Sequence, residues 1–283
     1  MKVSVVVRTF NSERTIGRVL EGVFSQGFRD FELVVVDSGS TDGTPGIVGR
    51  YPHEYVDYSG QRFTYSGSLN AGIAASGGEY VVCLSSHCTP VGTGWLGSLV
   101  GALDADRRLA GAWGPLVFGS DGDGGPEAGV EMVDLEGFYR RPNYGLQNSN
   151  SIIRRGLWEE RPFSMQVPTC EDQDWAHHFL RRGYLTAQVR GAPVLYRIPQ
   201  GPYGYGRKVY REFLTLNELF GYRPGLPVTE LAARLVRLAS AAALGRRSLA
   251  VSLRIAAGAV GGSLAGWTVR WRELQSSKRG KRG

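Results

Sequence analysis

The amino-acid sequence predicts an α/β fold: a Rossmann-like, mostly parallel sheet flanked by helices, followed by a helical C-terminal extension. Three observations carry this. Val3 to Val7 (VSVVV) and Phe31 to Val36 (FELVVV) are mainly apolar runs rich in β-branched residues, each with one polar residue, the pattern of strands buried on both faces. Between them Ile16, Val19, Leu20, Val23 and Phe24 recur at helical spacing. The resulting order of strand, helix, strand, helix implies a right-handed parallel arrangement.

Each element follows from local signals. The first helix is predicted over 13–26, behind the cap-type residues Asn11 and Ser12. After the second strand DSGSTDGT (37–44) is a turn, and Pro45 stands at a helix start. A short strand is read at 56–58, a helix at 68–75, a strand at 80–84 running into SSHCTP, a helix at 95–103 and a strand at 111–118. Residues 119–148 are rich in Gly, Asp and Pro with weak periodicity, and read as a long mobile loop. Order returns with a strand at 151–154, a helix at 172–182 and a strand at 185–189. An amphipathic helix over 207–220 ends before Pro224 and Pro227, and a second helical region is read over 229–271. Two domains are therefore expected, 1–222 and a basic helical segment and tail over 223–283.

A chain of 283 residues can bury a full core. The net charge of +7 is unevenly placed: from Thr229 onward there are eleven Lys/Arg against two Asp/Glu, and before it 22 against 24. The basicity belongs to the C-terminal segment. Its longest run without charge, Ile255 to Val269, is fifteen residues, short of the roughly 18 to 20 that span a bilayer. If the front of the 229–271 region is helical, Leu231, Leu235, Leu238, Leu249 and Leu253 fall on one stripe with the arginines outside it. Two readings stand: peripheral docking on an anionic cytoplasmic leaflet, or packing on the domain or on a second subunit of a homo-oligomer. Aromatic residues are not interleaved with the charge, so no nucleic-acid partner is expected. MKVSVVVRTF lacks a signal peptide's apolar stretch, and cytoplasmic residence is expected. Cys83, Cys88 and Cys170 have no CxxC spacing and read as free, largely buried thiols. Cys88, Cys170, His177 and His178 lack chelating spacing for zinc. The fingerprints GxGxxG and GxxxxGK[ST] are absent, which disfavours a dehydrogenase or a P-loop NTPase.

In open α/β sheets ligands bind at the carboxyl ends of the strands. Three such ends are legible: residues 8–13, 37–43 and 85–88. A carboxylate such as Asp37 there can accept hydrogen bonds from a base or a ribose, and glycines let a ligand approach the backbone. Spacing alone equally allows Asp37 and Asp42 to cap turns.

VSVVVRTFNSE (3–13), ELVVVDSGSTDGT (32–44), LNAGIAASGGEYVVCLSSHCTP (69–90) and PTCEDQDWAHHFLRRGY (168–184), in that order and spacing, resemble the family-2 inverting glycosyltransferases. The resemblance covers residues 3–220, and DSGSTDGT is most like the rhamnosyltransferase-like members. It implies the GT-A nucleotide-diphospho-sugar transferase fold, a nucleotide-diphosphate sugar donor and an acceptor hydroxyl on a cell-surface glycan or lipid-linked saccharide. By position it nominates Thr9, Phe10 and Glu13 near the base and ribose and Asp37 as their acceptor; Phe10 also reads as a loop aromatic covering the core. Asn70 corresponds to the helix start facing the diphosphate, although the arginine common just before it is replaced by Gly67-Ser68.

The family's metal-binding DxD aligns with Ser85, Ser86 and His87, so both carboxylates are gone. His87 is a candidate ligand, which suits Mn²⁺ better than Mg²⁺, and direct donor contact is its alternative; Ser86 is assigned to the donor. Without a metal, Arg197, Arg207 or Lys208 is left to neutralise the diphosphate. Asp172 falls at the family's general base, beside Glu171, with a helix cap as its other reading. Trp175 is either core or a sugar platform, and Asn148 either reads hydroxyls of the sugar or sits in a polar turn. A degenerate transferase-like protein that binds nucleotide or glycan without turnover is the alternative function.

Overall fold

In the computed structural model the described residues are 1–118, 128–141, 144–197 and 202–221. The chain runs β1 (Val3–Thr9), α1 (Ile16–Phe24), β2 (Phe31–Asp37), α2 (Thr44–Val48), β3 (Glu54–Asp57), α3 (Tyr65–Ala74), β4 (Tyr80–Ser85), β5 (Cys88–Pro90) and α4 (Trp95–Ala105). It continues through β6 (Leu109–Trp113), β7 (Leu116–Phe118), β8 (Val130–Val133), α5 (Leu135–Arg140), β9 (Asn150–Arg154) and α6 (Arg155–Glu160). α7 (Glu171–Leu180), β10 (Leu185–Val189), β11 (Val194–Tyr196) and α8 (Pro202–Phe220) follow. Residues 1–197 form one unit and 198–283 another.

The first unit is a mixed α/β structure. Its eight-stranded sheet has the order β3-β2-β1-β4-β9-β6-β10-β8. β1 pairs in parallel with β2 from Val3 and Phe31 to Thr9 and Asp37, and with β4 from Val3 and Tyr80 to Arg8 and Ser85. β9 is antiparallel to both β4 and β6, and β8 is antiparallel to β10. A second sheet, β5-β11-β7, stands apart. Val3, Val5, Val6, Val7, Val34, Val35 and Val36 have no solvent-exposed surface, and each buried aliphatic side chain contributes about 1.5–3 kcal/mol of hydrophobic stabilisation. The mainly apolar runs are thus explained by burial on both faces.

α1 begins at Ile16 rather than Glu13. The N–H groups of Asn11, Ser12 and Glu13 are spent on Ser40 Oγ, Thr44 Oγ1 and Asp42 Oδ2, which ties this stretch to the loop after β2. α3 starts at Tyr65, three residues before its expected start, because Thr64 caps it through the Gly67 N–H. The single strand expected over 111–118 is two strands in different sheets. At Gly114 a Cβ would overlap the Ala192 carbonyl oxygen, and Pro115 lacks an N–H for the ladder, so the chain leaves the first sheet there. The loop expected over 119–148 holds β8 and α5 in its described part. β8 is exposed on alternate residues and pairs only with β10, so its apolar pattern is weak. The expected strands at 31–36, 80–84, 151–154 and 185–189 and helices at 95–103 and 172–182 are present with their ends shifted by two residues or fewer. All three cysteines are free and buried.

In the second unit α8 opens with Pro202, a residue whose missing N–H suits a first helical position, five residues before the expected start. The boundary expected after 222 and the helical region over 229–271 lie outside the described residues. No helix among the described residues is long and apolar enough to cross a membrane.

Candidate active site

The carboxyl ends of β1, β2 and β4 meet in one laced set of loops. Asn11, held in the left-handed region at φ 44°, accepts the Thr41 N–H at its Oδ1 (2.8 Å). The Glu13 carboxylate accepts the Gly43 N–H (2.9 Å), and Ser12 Oγ and Ser86 Oγ share a hydrogen bond of 2.8 Å. Asp37 is 1% exposed and closes β2. Its Oδ1 accepts the N–H and the hydroxyl of Ser40, and its Oδ2 accepts the Tyr55 hydroxyl at 3.1 Å. Desolvation, reinforced by the Asp37 carboxylate, pushes the Tyr55 hydroxyl up to about 12, so it stays protonated and donates. A carboxylate has roughly four acceptor positions. Three are filled here, so Asp37 braces its turn.

Thr9 is 3% exposed beside Asp37, and its Oγ1 has no hydrogen-bond partner. Phe10 is 57% exposed, so it covers no core. Glu13 is exposed but committed to the Gly43 N–H. Asn70 is committed too: its Oδ1 accepts Trp158 Nε1 and the Phe163 N–H, and its Nδ2 donates to the Phe163 carbonyl. Asn70 sits in the interior of α3 and anchors 158–163, which corrects its expected place at a helix start facing a ligand.

At the end of β4, Ser85 and Ser86 are each 5% exposed, and the Ser86 N–H donates to the Arg8 carbonyl at 3.1 Å. The His87 ring meets Tyr196 edge to face at 5.1 Å, and its carbonyl accepts the Arg197 N–H at 3.0 Å. Ser85, Ser86 and His87 offer a divalent cation an imidazole and two hydroxyls but no carboxylate oxygen, a set that suits Mn²⁺ better than Mg²⁺. Among the described residues no group of three His, Cys, Asp or Glu is placed to hold a metal.

The register carries the same end of the sheet across to α7. Arg8 is opposite Ser85, and Leu84 is opposite Asn150. Two residues before Asn150, the Asn148 N–H donates to Asp172 Oδ2 at 3.0 Å. Asn148 is 2% exposed, its Nδ2 donates to Glu171 Oε1 (3.3 Å), and its Oδ1 accepts the Ser151 hydroxyl (3.1 Å). Gln173 adds a second tie, donating to the Leu146 carbonyl and accepting the Gly145 N–H. The expected hydroxyl reader is therefore a buried brace that sets the two carboxylates. Cys170, just before them, is left-handed at φ 61°, a conformation disfavoured for any side chain, which turns the chain sharply into α7. Glu171 is 5% exposed, while Asp172 is only partly buried. Trp175 is fully buried, bonded to the Arg161 carbonyl and packed on Phe179 at 4.5 Å, so it is core and not a platform.

Arg8 and Tyr55 escape the sequence reading. Arg8 Nε is buried with no hydrogen-bond partner, an arrangement that costs about 1–3 kcal/mol or more for a charged group. The legible signal is a cation closing an apolar strand. Burial pushes the Cys83 thiol up to about 12, while the Arg8 charge lowers it and the Glu171 and Asp172 charges raise it.

Residues 4–159 match the sequence profile of Glycosyl transferase family 2. A GalNAc(5)-diNAcBac-PP-undecaprenol beta-1,3-glucosyltransferase of Campylobacter jejuni is 20% identical over 227 residues, 77% of this chain and 72% of that protein. An uncharacterized glycosyltransferase of Nostoc sp. is 33% identical over 90 residues, 30% of this chain and 28% of that protein. The chain thus spans less than a third of the length of the Nostoc relative. The mannosyltransferase PcManGT of Pyrobaculum calidifontis, solved with GDP-Man and Mn²⁺, superposes with a TM-score of 0.63 at 20% identity, over 96% of this chain and 87% of that one. At that identity the fold is what the two share.

Proposed function

The chain belongs to glycosyl transferase family 2, and on that premise we propose that it moves a hexosyl or deoxyhexosyl group from a nucleotide-diphosphate sugar to an acceptor hydroxyl, with inversion. The observation that carries this is one of placement. The loops bearing Thr9 and Asp37 and the carboxylate of Asp172 lie at the same end of the sheet, joined through the register of β1, β4 and β9 and the Asn148 brace. Asp37 receives the base or ribose. Asp172 takes the acceptor's proton as its oxygen attacks the anomeric carbon, while the nucleoside diphosphate departs from the opposite face. The Campylobacter relative, named for an undecaprenol-linked substrate, supports an acceptor of the cell-surface glycan or lipid-linked class. The basic segment from Thr229 onward supports action at an anionic cytoplasmic membrane face.

Asp172→Asn keeps an acceptor for the Asn148 N–H and removes the base. Transfer from a donor panel should fall about 10²–10⁴-fold, while folding and binding of nucleotide diphosphates persist by thermal shift. Retained turnover would overturn the base assignment. A second reading, binding without turnover, draws on Ser85-Ser86-His87 in place of carboxylates. A donor panel that yields neither transfer nor hydrolysis with the native chain would select it.

A further inference from the structure

Arg8 is out of place as a strand residue. It follows the valines Val5 to Val7 and lies opposite Ser85 in the ladder. It shares its sheet face with Val6, whose side chain lies against α3 at Gly72. Its guanidinium stands 5.3 Å from the centre of the Tyr65 ring, the first residue of α3. The Nε–H is buried with no partner, although the nearby carboxylates Glu171 and Asp172 both engage Asn148. A planar fork held by a ring face, with a buried donor unspent, suits an incoming phosphate, which can accept two parallel N–H bonds. The loop beside it, Ser85-Ser86-His87, has no anionic oxygen to hold a cation there.

We propose that Arg8 binds the donor's diphosphate and stabilises the departing nucleoside diphosphate, supplying in a side chain the positive charge that carboxylate-held metal would otherwise bring. The proposal rests on the transfer reading above. In that step the acceptor oxygen bonds to the anomeric carbon and the bond from that carbon to the diphosphate oxygen breaks. The electron pair leaves on the diphosphate, where Arg8 meets it, and the proton goes to Asp172.

The test measures binding of UDP and GDP, with uridine and guanosine as controls, to the full chain in EDTA by calorimetry. The native chain should prefer one diphosphate over its nucleoside. Arg8→Gln should weaken that diphosphate about 10- to 100-fold and leave the nucleoside unchanged, with Arg8→Lys recovering part of the loss. A thermal midpoint near the native value certifies each variant as folded. Undiminished diphosphate binding by Arg8→Gln, equal losses for diphosphate and nucleoside, or native binding that appears only with added Mn²⁺ would each overturn it. Because binding is read without turnover, an inactive native chain with Arg8-dependent diphosphate binding would sink the transfer reading and the leaving-group role with it, and leave Arg8 standing as the diphosphate contact.

Discussion

Asn148 uses every polar atom it has inside the protein, apart from its carbonyl: the N–H to Asp172, the amide nitrogen to Glu171, the amide oxygen from Ser151. Asn148→Ala keeps the N–H bond and removes the other two, leaving Glu171, 5% exposed, without that donor. The expected cost is about 1–3 kcal/mol of stability, read as a lower denaturant midpoint at unchanged slope. If Asn148 positions Asp172 through this network, kcat should also fall while donor KM holds. A raised KM with unaltered kcat would instead mark Asn148 as a donor contact. The sequence could name Asn148, Glu171 and Asp172 as candidate site residues, because they fall in two short motifs. It could not tell brace from base. That distinction depends on which amide atom faces which carboxylate, and so on the register between β9 and α7. The same holds for Asn70, whose amide is turned toward Trp158 and Phe163 by packing 88 and 93 residues away.

At the scale of elements, two kinds of helical glycine separate propensity from packing. A Cβ at Gly72 in α3 would stand 2.5 Å from Val36 Cγ2 and 2.6 Å from Val6 Cγ1, so the helix rides on β1 and β2 at a distance only glycine permits. Ala is favoured over Gly by about 0.8–1 kcal/mol in a helix interior, but overpacking a core costs typically about 1–3 kcal/mol. Gly72→Ala should therefore destabilise. Gly97 and Gly101 in α4 have nothing within 4 Å of an added Cβ, so there propensity alone acts and the double change to Ala should stabilise. Opposite shifts of the thermal midpoint are the expected result; a rise for Gly72→Ala would mean that α3 can move off the sheet. The elements read well from the sequence are those whose own residues encode their burial, such as β1, β2, β4 and α1. Those missed or merged, β5, β7 and β8, are three or four residues long and are strands only because of partners distant in the chain.

For the whole molecule the parallel order of β3, β2, β1 and β4 made the site legible, since it gathers three polar loops at one end whatever their details. Arg8 stands in the strand end 8–13 that the sequence marks, but no role falls to it until its buried, unpartnered Nε–H is seen. The charge distribution is the other global property. Residues before Thr229 carry 22 Lys/Arg against 24 Asp/Glu, and the excess lies beyond. Six of those cations, Arg270, Arg272, Lys278, Arg279, Lys281 and Arg282, fall within the last fourteen residues. Each Lys or Arg close to an anionic leaflet is worth about 1 kcal/mol, and the screening length shrinks from about 10 Å at 0.1 M salt to about 3 Å at 1 M. The full chain should therefore sediment with vesicles containing phosphatidylserine at low salt, release as salt approaches 1 M, and ignore neutral phosphatidylcholine vesicles. Replacing the six cations with Gln should abolish sedimentation while transfer to a soluble acceptor persists. Sedimentation indifferent to salt would assign the contact to apolar residues of the segment, such as Leu231, Leu235 and Leu238, instead. No sedimentation, with the Gln variant changed in oligomeric state, would place the segment's charge at a contact between copies of the chain.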